Sequence, residues 1–206
     1  MEFTITVAII IITAIISFTA FSSEKIINDL IFWPPMIKEK NQYYRFITSG
    51  LIHADIPHLA FNMITLYFFG RLVEEYLFIP RIGKTGYLLF YIAGIIVSEI
   101  PSYIRHRNNY SYRSLGASGA VTAVLFSFIL LAPWQTIYVF FLPVPAIIFA
   151  ALYVGYSIYM DRKGGDNVNH SAHLWGAAWG VLFTIFMEPD IINRFLDQLM
   201  RPNFSM

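Results

Sequence analysis

Four polar side chains stand inside otherwise apolar stretches of this sequence: His58, Asn62, Ser118 and His173. His58 and Asn62 are i and i+4 in His53-Ala-Asp-Ile-Pro-His58-Leu-Ala-Phe-Asn62, so they share one helical face. Ser118 lies in Leu115-Gly116-Ala117-Ser118-Gly119-Ala120. His173 opens Ala172-His173-Leu-Trp-Gly176-Ala-Ala-Trp-Gly180, where His173, Gly176 and Gly180 fall on one face at i, i+3 and i+7. A serine becomes nucleophilic near neutral pH when a base stands beside it, and His173 can be that base. The tetrahedral intermediate then needs donors aimed at its oxyanion, which His58, Asn62 and the Ser118 amide can provide. Each piece alone has a plainer reading. His and Asn bridge helices in membrane bundles, and Gly116 with Ala120, or Gly119 with Ala123, lets helices pack closely.

The elements that must position these residues follow from composition. Of 206 residues, 57% are hydrophobic and 13% charged, with a net charge of +1. No basic excess exists to neutralise phosphates, so a nucleic-acid partner is not expected, and the apolar surplus excludes disorder. Cysteine is absent, which removes disulfides, thiolate metal sites and cysteine nucleophiles together. Apolar runs occupy about 3–21, 58–78, 86–104, 115–132, 144–160 and 171–188. The first is too long for a signal-peptide core and lacks a basic flank, so it reads as a retained helix. The expected fold is an all-α membrane protein of six transmembrane helices, a single domain over 1–206, with a long structured first loop at 22–57. Further loops are expected at 79–85, 105–114, 133–143 and 161–170, with Pro133 to Pro143 lying at the membrane interface. Several runs are shorter than the roughly 20 residues that cross a bilayer, as helices buried in a bundle or lining a cavity can be. No internal repeat is visible, which weakens a transporter of inverted halves.

Topology raises the weight of the polar set. Helices two, four and six start on the same side, each after an odd number of crossings. His58 with Asn62, Ser118 and His173 all lie within about two turns of those starts. A hydroxyl, two imidazoles and a carboxamide thus gather at one depth, where polarity is expensive. That points to a serine hydrolase embedded in lipid.

In this order and on these helices, the three motifs resemble those of the rhomboid intramembrane serine proteases, over about Tyr44 to Met187. The resemblance implies peptide-bond hydrolysis in or near transmembrane segments of other proteins, with Ser118 as nucleophile and His173 as general base. It further implies that His58, Asn62 and Ser118 form the oxyanion hole, that His53 supports that wall, and that no cofactor or metal takes part. Gly116, Gly119, Gly176 and Gly180 are supporting positions. Arg45 matches the arginine of a Trp-Arg pair in the first loop, with Tyr44 where the tryptophan often stands. Glu74 matches an acidic position near the end of helix two. Thr122, one turn after Ser118, stands where some members place a tyrosine that stacks on the histidine, so another group must orient His173. The expected form is a minimal six-helix bacterial type, with substrate access between helices two and five past Tyr153, Tyr156 and Tyr159. The partners implied are transmembrane protein substrates and lipid; the sequence carries no signal for oligomeric state.

The resemblance places the N-terminus in the cytoplasm and the catalytic end at the outer face of a bacterial inner membrane. Charge counting runs the other way. Arg71, Arg81, Lys84, Arg194 and Arg201 are then inside. Lys25, Lys38, Lys40, Arg45, Arg105, Arg107, Arg113, Arg162 and Lys163 are outside. Two other readings compete. A non-catalytic rhomboid-like membrane-binding or quality-control protein would lack the serine or the histidine, and this chain keeps both. A channel or transporter gains nothing from Gly-x-Ser-Gly and has no row of intramembrane carboxylates. A metal site at His53, His58 and His173 is conceivable, but the first two are not the i, i+4 pair of helical zinc motifs.

Overall fold

The computed structural model of the chain describes residues 4–139 and 141–202. Phe3, the start of the first apolar run, lies outside them. The fold is mostly helical, and long helical segments stand at each of the six apolar runs. Helix α1 is Ile5–Phe21; α2 (Glu24–Leu30), α3 (Pro34–Lys40) and α4 (Arg45–Thr48) build the first loop, which is therefore structured, as expected. Helix α5 (Ile56–Thr65) continues through wider π-type turns over Leu66–Gly70 and Val73–Phe78 into α6 (Ile79–His106). Helices α7 (Ser118–Leu131), α8 (Ala146–Lys163), α9 (His170–Met187) and α10 (Ile191–Met200) complete the set.

The break expected at 79–85 is present as a short turn: Gly83 adopts φ 71° and ψ 180°, a conformation open to glycine, and separates two helical stretches, so that Tyr87 beyond it packs back against Phe78. Two expectations need correction. The segment Pro133 to Pro143 folds into part of a two-stranded antiparallel hairpin, β1 (Thr136–Val139) with β2 (Leu142–Pro145), so the fold is not purely α. Pro143 and Pro145 forbid continuous helix yet are tolerated in a strand that has a free edge. The amphipathic helix α10 was not anticipated at all. Among the described residues, one helical segment, Ile56–His106 taken across the Gly83 break, is long and apolar enough to cross a membrane. Ile5–Phe21 and Ser118–Leu131 are apolar but shorter.

Helix α7 is the axis of the fold, because it is apolar all round and a helix of that kind must be enclosed. Gly119 to Leu130 are all buried, covered chiefly by α9 and α6. The α7–α9 seam is closed by missing side chains. A Cβ on Gly176 would run into the carbonyl of Gly119, and one on Gly180 into that of Ala123. Farther along, Ser127 donates to the Ala123 and Gly180 carbonyls at 3.0 and 3.3 Å, and Thr184 donates to Ser127 at 2.8 Å.

The N-terminus of helix α1, at the opposite end from its loop, is tied to the Val73–Phe78 turns that follow α5. The buried Glu74 carboxylate accepts the Ile5 and Thr6 amides at 2.8 Å each and the Thr6 hydroxyl at 2.7 Å. Two otherwise unpaired amides of a helix N-terminus thus meet a negative charge at the positive end of the helix dipole.

Candidate active site

The serine stands at the very start of α7. Its ladder begins with the Val121 amide on the Ala117 carbonyl, so the Ser118, Gly119 and Ala120 amides precede it. The helix dipole places positive potential there, where an anion is favoured. Gly116 just ahead has φ 120°, and an added Cβ would lie 2.7 Å from Cε1 of His58. Only glycine makes that turn and leaves room for the ring.

Two other groups hold the turn. The Gly116 amide donates to the Ser49 carbonyl at 2.9 Å, and the Ala117 amide to Nε2 of His53 at 3.4 Å. Because Nε2 accepts, the proton of a neutral His53 sits on Nδ1, which meets the Ser17 hydroxyl at 2.9 Å; that hydroxyl donates to the Leu51 carbonyl at 2.9 Å. His53 is fully buried, and burial, reinforced by His58 and opposed by Asp55, lowers its pKa to about 3. It is therefore a neutral strut between α1, the first loop and the α7 turn, edge-on to His58 at 4.9 Å.

Helix α5 is set by Asp55, which caps it by accepting the His58 amide at 2.7 Å, with a proline in the first turn. His58 and Asn62 then face the same cavity as Ser118. Asn62 is buried and spends one amide hydrogen on the His58 carbonyl at 3.2 Å, leaving its second donor. On α9, Asn169 caps the helix by accepting the Ala172 amide at 3.0 Å, which fixes the turn carrying His173. Nε2 of His173 lies 2.9 Å from Oγ of Ser118.

The structure thus brings His53, His58, Asn62, Gly116, Ser118, Gly119, His173 and Gly176 to one end of the molecule. Gly180 lies farther down the seam. Glu74 serves α1 at the opposite end. Arg45 is buried under the first loop, donating to the Asn28 and Ile31 carbonyls at 2.8 Å and to Gln42 at 2.7 Å. It closes the C-terminal end of α2. The Tyr44 ring stands 5.5 Å from its guanidinium carbon.

Sequence reasoning passed over a buried network behind the histidine. Glu99 of α6 accepts Ser114 and Asn169 at 3.1 Å each, and Asn169 also donates to Ser102 at 3.0 Å. A lone carboxylate in an apolar helix was the available signal for Glu99, and an asparagine just before His170-Ser-Ala-His173 was that for the cap. His170 is also buried, its Nε2 3.0 Å from Asp166, whose carboxyl that bond holds below the usual range.

The cavity holding these groups encloses about 850 Å³ between α5, α7 and α8. At one end are His58, Asn62, Ser118 and His173; Phe69, Leu125, Phe149 and Ile137 line it farther along. Tyr153 lines it. Tyr156 instead packs edge-on to His170, and Tyr159 lies under the Lys163 ammonium.

Residues 40–189 match the family model described as the rhomboid domain. The chain is 34% identical over 156 residues to RHOMBOID-like protein 12, mitochondrial, of Arabidopsis thaliana, covering 68% of this chain and 45% of that protein. It is 31% identical to Rhomboid-like protein 11, chloroplastic, of the same plant, covering 68% and 51%. It is 27% identical to the putative rhomboid protease YdcA of Bacillus subtilis (strain 168), covering 69% and 66%. The chain spans about half the length of the two plant relatives. With the rhomboid domain matched over most of its length, this chain belongs to the rhomboid family, a family of membrane proteins.

Proposed function

We propose that this protein is an intramembrane serine endopeptidase that cleaves peptide bonds in or near transmembrane segments of other membrane proteins. The observation that carries this reading is the 2.9 Å approach of Nε2 of His173 to Oγ of Ser118 at the positive end of a fully enclosed helix. A serine and histidine paired merely for packing need no shared cavity, no free amides beside the hydroxyl and no ring of further donors. This pair has all three.

The chemistry follows from the geometry. Nε2 of His173 takes the Ser118 proton as Oγ attacks the scissile carbonyl carbon. The resulting oxyanion is held by the Ser118 amide with the Asn62 amide and His58 side chains. The intermediate collapses as His173 returns the proton to the leaving amine, giving an acyl-enzyme. Water, deprotonated by the same nitrogen, then attacks the ester, and the serine is regenerated. A substrate helix hides its carbonyls, so it must unwind locally before attack; Gly or Pro near the scissile bond lowers that expense.

In this reading six helices cross the membrane, α1, α5, α6, α7, α8 and α9, in a minimal bacterial type seated in the cytoplasmic membrane. The catalytic end faces outward. The similarity to a Bacillus protein named a putative rhomboid protease supports the activity. The charge count runs against this orientation, and folded contacts do not reverse it: Lys38, Arg45, Arg105, Arg113 and Lys163 of the nine outer cations are engaged, but so are Arg71, Arg81 and Arg194 of the five inner ones.

The test is cleavage of a single-span reporter co-reconstituted in lipid vesicles. Wild type should cut it and Ser118→Ala should not. Cleavage that survives Ser118→Ala, or a folded wild type inert toward every reporter, contradicts the proposal.

A further inference from the structure

An imidazole that must accept a proton from one side needs its ring plane fixed, and Thr122 is too short to lie across it. We propose that Tyr153 of α8 is the positioning residue for His173 and that the Thr122 hydroxyl anchors it, so the seating of α8 governs the alignment of the dyad. This rests on the Ser118–His173 reading above.

The contacts form a closed circuit. Ser118 and Thr122 are i and i+4 on α7 and present their hydroxyls to the same cavity. One hydroxyl meets Nε2 of His173 at 2.9 Å; the other meets the Tyr153 hydroxyl at 3.0 Å. The Tyr153 ring closes the circuit by stacking on His173, with centroids 5.9 Å apart and planes 27° from parallel. That lies within the range of an attractive offset pair. Phe149 and Phe126 flank the tyrosine at 5.5 and 6.0 Å, and His170 meets His173 edge-on at 5.8 Å. The imidazole is thus held on one face by Tyr153, at its edge by His170 and at its nitrogen by Ser118.

Helix α8 is the least enclosed wall of the cavity. Its buried residues are Ala146, Ala150 and Ser157, while Leu152, Tyr156, Ile158 and Tyr159 are exposed. Gly155 has open space where a side chain would be. A displacement of α8 away from α5 widens the cavity, breaks the bond to Thr122 and lifts the ring from His173. Only the closed arrangement then presents an aligned base.

The test uses full-length protein in lipid vesicles with a transmembrane reporter, comparing Tyr153→Ala, Tyr153→Phe, Thr122→Val, the Thr122→Val/Tyr153→Phe pair and Thr122→Tyr/Tyr153→Ala. Tyr153→Ala should lower kcat by roughly 10- to 100-fold, the scale of a misaligned catalytic group, with KM little changed. Tyr153→Phe keeps the ring and loses one hydrogen bond, so kcat should fall only about two- to tenfold. Thr122→Val should match it, and the pair should be no worse than either, because both remove the same bond. In Thr122→Tyr/Tyr153→Ala a ring returns from α7, and kcat should recover relative to Tyr153→Ala. Three results overturn the proposal: unchanged kcat in Tyr153→Ala, a rise in KM alone, or equal losses in the Ala and Phe variants. If the alanine variant does not fold, unchanged kcat in Thr122→Val overturns it as well. An inert wild type would instead sink the protease reading itself.

Discussion

Ser118 and His173 approach to 2.9 Å at the end of a helix seam in which Gly176 stands directly against the backbone of Gly119. The hydroxyl and the imidazole meet because the two backbones beneath them touch. Any side chain inserted one turn below His173 must drive α9 from α7 and open the dyad.

Gly176→Ala should therefore destabilise the protein by about 1–3 kcal/mol, as overpacking does, and weaken the dyad as well. Gly180→Ala, against Ala123, should destabilise comparably with a smaller loss of kcat, since it lies a turn farther from the serine. Thermal unfolding in one detergent, with kcat measured well below both transitions, separates the two effects. Equal loss of kcat in both would show that the local contact under the dyad carries no special weight.

Asn62→Ala removes a side chain that lines the cavity and, among the described residues, bonds only within its own helix, to the His58 carbonyl. The fold should persist. The barrier to cleavage should rise by about 2.7–4 kcal/mol, the scale of a lost oxyanion donor. Steady-state kinetics on the reporter decides it: faster turnover, or a change confined to KM, contradicts the role.

His53 makes a pH prediction. Its pKa is about 3 in the fold and 6.5 when free, so below pH 6.5 the unfolded chain binds a proton that the fold refuses. Stability from this residue is complete above pH 6.5 and falls as the pH drops toward 3, by at most about 1.4 kcal/mol per pH unit. His53→Asn should be less stable at pH 7.5 but lose less on going to pH 4.5. Chemical denaturation of both proteins at the two pH values checks this, and parallel losses would refute it.

Glu74→Gln should weaken the fold without touching the chemistry. The carboxylate takes three donors at the α1 N-terminus, far from Ser118. A neutral amide gives up the charge-dipole attraction and turns one acceptor into a donor, so about 1–3 kcal/mol should be lost. The expected outcome is a lower Tm with unchanged kcat at permissive temperature; lowered kcat in the fully folded variant would place Glu74 in a coupling role instead.

The long helices were legible because each is a predominantly apolar run, and the Ser118, His58 and His173 motifs because polarity stands out within such runs. The shared end of α5, α7 and α9 followed from counting crossings. What stayed hidden depends on partners distant in sequence. Glu99 meets Asn169 seventy residues away, and neither residue announces the other. Tyr153 looked like one of three evenly spaced tyrosines at a lateral opening; only the packing of α8 singles it out. The hairpin escaped because prolines show where helix must stop and not what replaces it. Helix α10 escaped because its apolar residues are interleaved with charges.

The central claim is that Ser118 is a nucleophile activated by His173. A fluorophosphonate, which reacts only with an activated serine, tests it most directly, with intact-mass and peptide analysis to locate the adduct. Wild-type protein in detergent should take up one phosphonyl group, on Ser118, while Ser118→Ala and His173→Ala stay unmodified although folded. Equal labelling of all three, or no adduct on a folded wild type, would contradict it.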